Sequence, residues 1–156
     1  MREIKFRGKA IRKDKDMWLY GSLIKIGDSY HITEEEDMIE DGHHITQDSD
    51  RPTWVDEKTI GQFTGLFDKN GVEIYEGDIL RKPAKEQWEI KNFVGYEVFW
   101  HDNDCADNHI GWQMNRHHYN GCLCGTTDFV RCLPKYCNQM EVIGNIHEQS
   151  DLIKSL

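Results

Sequence analysis

The sequence predicts a mainly β protein. Apolar residues recur in short alternating runs, turns rich in Gly, Asn and Asp separate those runs, and no apolar run reaches ten residues. Seventeen aromatic residues (five Trp, six Tyr, six Phe) are spread through the 156 residues, so almost every run has a large side chain to bury. At this length about 68–70% of the unfolded surface can be buried, enough for one domain or for two small lobes sharing a core. The chain reads as a single unit with an N-terminal antiparallel β lobe at 1–58 and a C-terminal β lobe at 59–156.

Residues 3–32 read as a meander. Ile4 and Phe6 alternate with charges, residues 13–16 make a polar turn, and residues 17–26 form a strand pair or one long strand bent at Gly21. Gly27, Asp28 and Ser29 then turn the chain into Tyr30, His31 and Ile32. Residues 34–50 are acidic, contain His43 and His44 and stop short of Pro52; they read as a loop, with room for one helical turn at 34–39. Trp54 and Val55 restart the apolar pattern.

Residues 60–80, IGQFTGLFDKNGVEIYEGDIL, read as two strands joined by a turn at Asp68, Lys69, Asn70 and Gly71. Asn-Gly readily takes the positive φ angles that a tight hairpin needs. Gly77-Asp78 predicts a bend or bulge, because Gly accepts an unusual φ and Asp can bond nearby amides. Pro83 ends the strand, having no amide hydrogen to give to a ladder.

Alternation returns over residues 90–100, with Val94, Tyr96, Val98 and Trp100 on a buried face and Gly95, Glu97 and Phe99 on the other. Residues 101–109 read as a polar hairpin loop, 111–115 as a returning strand, and 129–133 and 140–146 as closing strands. Ser150 and Asp151 can cap a short C-terminal helix through Leu156, since their side chains accept free first-turn amides.

The net charge of −9 is unevenly placed. Residues 28–57 hold eleven acidic residues against Arg51 alone, whereas residues 1–16 hold seven basic residues against three acidic ones. Such segregation serves either as a solvated acidic loop beside a basic strand or as complementary charge for a partner. The N-terminal segment MREIKFR lacks a hydrophobic signal core and no stretch is long enough to span a bilayer, so a cytoplasmic protein is expected. The five cysteines, Cys105, Cys122, Cys124, Cys132 and Cys137, are odd in number, which argues for reduced thiols.

Three blocks resemble the YopX family of phage and prophage proteins. They are Arg2 to Gly8 (REIKFRG), residues 60–80, and Glu141 to Glu148 (EVIGNIHE), in that order and near those chain positions. Trp18-Leu19-Tyr20-Gly21-Ser22-Leu23 also looks like a variant of the family. Residues 85–136 match none of its patterns. The resemblance implies an N-terminal β region followed by a small C-terminal SH3-like β-barrel, and a phage or integrated-element origin. It brings no catalytic or binding residues with it.

Candidate chemistry gathers in the divergent stretch. Cys122-x-Cys124 and Cys132-x4-Cys137, with His117 and His118 upstream, could supply zinc ligands, but Leu133-Pro134 interrupts the second pair and the usual knuckle spacing is missing. Small buried thiols are the simpler reading. His101, Asp102, Asp104, Asp107, His109, His117 and His118 could assemble a divalent-metal site, although a polar loop has the same composition. The three aspartates fail calcium-loop spacing. Nucleophile-elbow, phosphate-loop and dinucleotide motifs are missing. Nucleic-acid binding is disfavoured by a pI near 5.3, leaving only the basic N-terminal segment with Phe6 and Trp18.

The expectation is therefore a non-enzymatic interaction module that self-associates or binds a phage or host protein. No catalytic, cofactor-binding or metal residue is assigned, and no cofactor is expected. A nucleic-acid-binding regulator, or a zinc protein using residues 101–137, are the alternatives.

Overall fold

The computed structural model describes residues 3–11, 17–33, 54–83, 95–102, 110–116, 130–131 and 134–149. The expected turn at 13–16, the acidic loop at 34–50, most of the cysteine-rich stretch and the C-terminal helix after Ser150 lie outside the described residues. Two compact units divide the chain, residues 1–63 and 64–156.

In the first unit, β1 (Phe6–Lys9), β2 (Trp18–Ile26), β3 (Ser29–Thr33), β4 (Trp54–Val55) and the start of β5 (Gly61–Phe67) are antiparallel neighbours. β2 is one nine-residue strand, so the long-strand alternative holds. Register fixes the faces: Gly8 lies opposite Leu19, Leu23 opposite Ile32, and Tyr30 opposite Val55. Ala10, Leu19, Ile32 and Val55 make the buried core, flanked by Phe6, Leu23, Tyr30 and Ile60. Gly8 is required by a close approach, since a Cβ there would sit 2.9 Å from the Val55 Cβ. β4 also bonds back to the end of β1, with Ile11 donating to the Trp54 carbonyl and Asp56 to the Lys9 carbonyl, both at 2.9 Å.

A 3-10 turn at Glu57–Thr59 then redirects the chain into β5. Asp56 caps it by accepting the Lys58 amide, and the buried Thr59 hydroxyl donates to the Asp56 carbonyl at 2.7 Å. The same hydroxyl oxygen accepts the Lys9 amide at 2.8 Å, which ties the turn to β1.

The second unit contains the rest of β5, β6 (Glu73–Tyr75), β7 (Asp78–Arg81), β8 (Tyr96–Asp102), β9 (Ile110–Arg116), β10 (Val130–Arg131), one helical turn α1 (Pro134–Cys137) and β11 (Glu141–Asn145). Its sheet has the order β10-β9-β8-β7-β11 and is antiparallel throughout. Ile74, Leu80, Tyr96, Val98, Met114, Cys137 and Met140 form its core. Those on strands follow the period-2 alternation, with Val98 facing Met114 and Leu80 facing both Tyr96 and Val142, while Cys137 and Met140 come from α1 and the segment after it.

Two expectations are corrected. The closed SH3-like barrel is not found among the described residues: β10 pairs with β9 and β11 with β7 at opposite ends of the sheet. A two-residue β10 is too short to carry a ladder further, and β11 is irregular between Val142 and Gly144. His101 does not open a loop, because β8 continues through Asp102 and buries the imidazole to 5% exposure.

Candidate functional site

The family-like blocks at 60–80 and 141–148 meet in the second unit, and Asp68 joins them. Its Oδ1 accepts the amides of Asn70 at 2.7 Å and Val72 at 2.9 Å, and its Oδ2 accepts the amide of Val142 at 3.1 Å. The side chain is only 4% exposed. Burial works against its charge, yet the amides of Val72, Val142 and Asn70 outweigh it and hold the carboxyl below the ordinary carboxylate range. The neighbouring Lys69 amide donates to the Met140 carbonyl, and its ammonium pairs with Glu141 at 2.8 Å. Asp68 is thus a structural clasp between the β5–β6 turn and β11.

Asp78 and Asn145 act in the same way. The Asp78 Oδ2 accepts the Tyr75 amide at 2.7 Å across the Glu76-Gly77 turn, where Gly77 has φ of 81°. The Asn145 Oδ1 accepts the amides of His147 and Glu148, while its Nδ2 donates to the Glu148 carboxylate at 3.1 Å. The Ile146 amide donates to the Gly77 carbonyl, closing the two blocks onto each other. Both oxygens of Asp68, the Oδ2 of Asp78 and the Oδ1 of Asn145 are thus spent on backbone amides.

Polar groups of a different kind lie on the non-core face of β8 and β9. Glu97, Phe99 and His101 alternate along β8, and Gln113 stands opposite Phe99 on β9. Gln113 is 1% exposed, and neither its Oε1 nor its Nε2 has a hydrogen-bond partner among the described residues. A buried amide in that state costs about 1–3 kcal/mol. Burial pushes the Glu97 carboxyl up, and the charge of Glu76 pushes it further in the same direction. Glu97 can therefore keep its proton to higher pH than an exposed glutamate. At about 3.3 Å per residue the four-residue step to His101 is about 13 Å, too long for direct proton transfer between the two.

The sequence-based candidates fare unequally. His101 is on that polar face, with its ring edge-on to Phe99 at 6.5 Å, whereas Asp102 is exposed at the end of β8. Cys137 is fully buried in the core beside Met140, on α1 rather than in a closing strand. Asp104, Asp107, His109, His117, His118, Cys105, Cys122, Cys124 and Cys132 lie outside the described residues. Among the described residues no group of three His, Cys, Asp or Glu side chains could hold a metal ion. Arg7 of the basic N-terminal segment is buried, with its guanidinium 5.0 Å from the Trp18 ring centre. Gln113 was not legible as a buried residue, because alternation with Trp112 and Met114 assigns it to the open face.

A search of curated proteins gives no match. Among solved structures the chain is similar to protein EF1440 from Enterococcus faecalis, with 23% identity over 98% of this chain and 99% of that one, and a TM-score of 0.43. The YopX protein family matches residues 5–154, nearly the whole chain, and so takes in the blocks at 60–80 and 141–148 and the end of the first block. The chain belongs to the YopX family.

Proposed function

We propose that this protein is a non-enzymatic β module that self-associates or binds a protein partner. The observation that carries this reading is the apolar row on the core face of β8 and β9. Within the unit the row is Tyr96, Val98 and Met114, all buried. Towards the free end of the hairpin it continues into Trp100 and Ile110, which are 41% and 61% exposed. Trp100 meets the half-buried Trp112 edge-to-face at a centroid distance of 5.0 Å, so it is held ready in one orientation. Rigid exposed aromatics next to a packed core are the side chains that dominate protein interfaces.

The polar residues of the family blocks support the same conclusion from the other side. Asp68 and Asn145 accept backbone amides and are committed to the fold. No helix among the described residues is long and apolar enough to cross a membrane, and the reading places the module in the cytoplasm of a bacterial host carrying the phage element.

Light scattering over a range of concentrations, with a pull-down against host and phage proteins, tests the proposal. The expected result is a mass above the monomer or a stoichiometric partner, either of which is lost in Trp100→Ser/Ile110→Ser. A strict monomer with no captured partner overturns it.

A further inference from the structure

The β8–β9 hairpin reaches beyond the strands on either side of it. β7 pairs with β8 only as far as Glu97, where Gly77, just before β7, donates to the Val98 carbonyl at 2.8 Å, and β10 pairs with β9 only at Gln113 and Met114. Ile110, Gly111 and Trp112 of β9 therefore have a partner strand on the β8 side and none on the other among the described residues. The direction of the Val98 carbonyl decides which backbone groups face that edge. It points towards β7, so alternation turns the N–H and C=O of Phe99 and His101 towards β9, and those of their partners Gln113 and Gly111 back towards β8. The N–H and C=O of Ile110 and Trp112 point away from β8, into the open edge.

This edge lacks the devices that keep sheet edges from pairing. Residues 110–113 read IGWQ, with neither charge nor proline. Ile110 is exposed, and a Cβ built on Gly111 meets nothing within 4 Å. The edge is also complementary to itself. Laid antiparallel against a copy about Gly111, it sets Ile110 opposite Trp112 at one end and Trp112 opposite Ile110 at the other, so every outward N–H meets an outward C=O. At the centre the two Gly111 residues make a non-hydrogen-bonded pair with Cα atoms about 4.5 Å apart, and the missing side chains let the strands meet there.

We infer, on the footing that the Trp100 surface is an interface, that its partner is a second copy of this chain, with residues 110–112 of the two copies paired antiparallel about a two-fold axis at Gly111. Ile110 of each copy packs beside the partner's Trp112, with Trp100 one strand further in on the same face. The paired span stops where β10 begins at Gln113, so the contact is short and the dimer is a weak one that forms as concentration rises.

Sedimentation of the full chain over a range of concentrations, with amide hydrogen exchange read residue by residue, tests the pairing. A monomer–dimer equilibrium is expected, in which the Ile110 and Trp112 amides exchange more slowly as concentration rises. Ile110→Pro removes an N–H that no strand uses among the described residues, and proline is tolerated on an open edge, so the fold is kept while dimerisation weakens by about tenfold or more. Ile110→Lys puts a charge at the same position and is expected to give a monomer. Circular dichroism melts identify the variants that remain folded. A dimer whose Ile110 and Trp112 amides exchange at the monomer rate, or one kept in full by folded Ile110→Pro, overturns the β9 pairing. A strict monomer that captures another protein through Trp100 and Ile110 overturns it as well but leaves the interaction module standing, whereas a strict monomer that captures nothing overturns both.

Discussion

Replacing Asp68 by Asn should remove one hydrogen bond and set two donors against each other. The carboxylate accepts three backbone amides with its two oxygens, two on Oδ1 and one on Oδ2. Asparagine keeps one acceptor oxygen for Asn70 and Val72, but turns an amide NH2 towards the Val142 N–H at the position that the second oxygen held. A hydrogen bond to a charged group contributes about 1.5–3 kcal/mol, and the stranded Val142 amide adds a desolvation cost, so a loss of about 2–3 kcal/mol is expected. At about 2–4 °C per kcal/mol for a chain of this size, Tm should fall by about 4–12 °C.

The acid dependence gives the sharper check. The folded carboxyl titrates below its ordinary value, so its contribution is present in full above the unfolded carboxylate range and fades as pH falls towards the folded value. The gap between wild type and Asp68→Asn should thus be widest at neutral pH and close on acidification below about pH 4. Urea unfolding followed by tryptophan fluorescence reads both quantities. A Tm within one degree of wild type at neutral pH, or a gap that does not narrow in acid, would refute the clasp.

Two further substitutions test other parts of the argument. Gly71 has φ of 80° and nothing within 4 Å of a built Cβ, so the cost of Gly71→Val is backbone strain alone, about 1–3 kcal/mol, while Gly71→Asn should cost much less; equal melting temperatures for the two variants would show that the turn does not select φ. Glu97→Gln should raise Tm at pH 7, because the carboxyl titrates above its ordinary value and its ionisation opposes folding as pH rises through that range. That gain should vanish in acid, where wild-type Glu97 is protonated, and a Tm lowered at pH 7 would mean that ionised Glu97 is held by a stabilising partner.

Much of the second unit's centre was legible because its determinants are local. Asn70-Gly71 permits a turn whatever surrounds it, and Gly71 and Gly77 both have positive φ where the sequence demanded it. Alternation over Tyr96 and Val98 identified the core face of β8 for the same reason. Three readings needed more than local pattern. Asp68 looked sufficient as a turn former, but its third acceptor contact lies 74 residues away at Val142. His101 read as part of a polar loop and Gln113 was not singled out, yet both are buried on the second face of the sheet, which alternation cannot reveal when both faces are covered.

By itself the sequence determined the β class, the hairpin centred on Gly71, the bend at Gly77-Asp78 and the kinship of the three blocks, since backbone sterics and period-2 burial act between near neighbours. Tertiary structure alone decided that β10 and β11 stand at opposite ends of the second sheet among the described residues, and that the signature carboxylate Asp68 clasps β11. Each of those outcomes depends on strand register between segments far apart in the chain, and a one-residue shift of register would send every side chain to the other face.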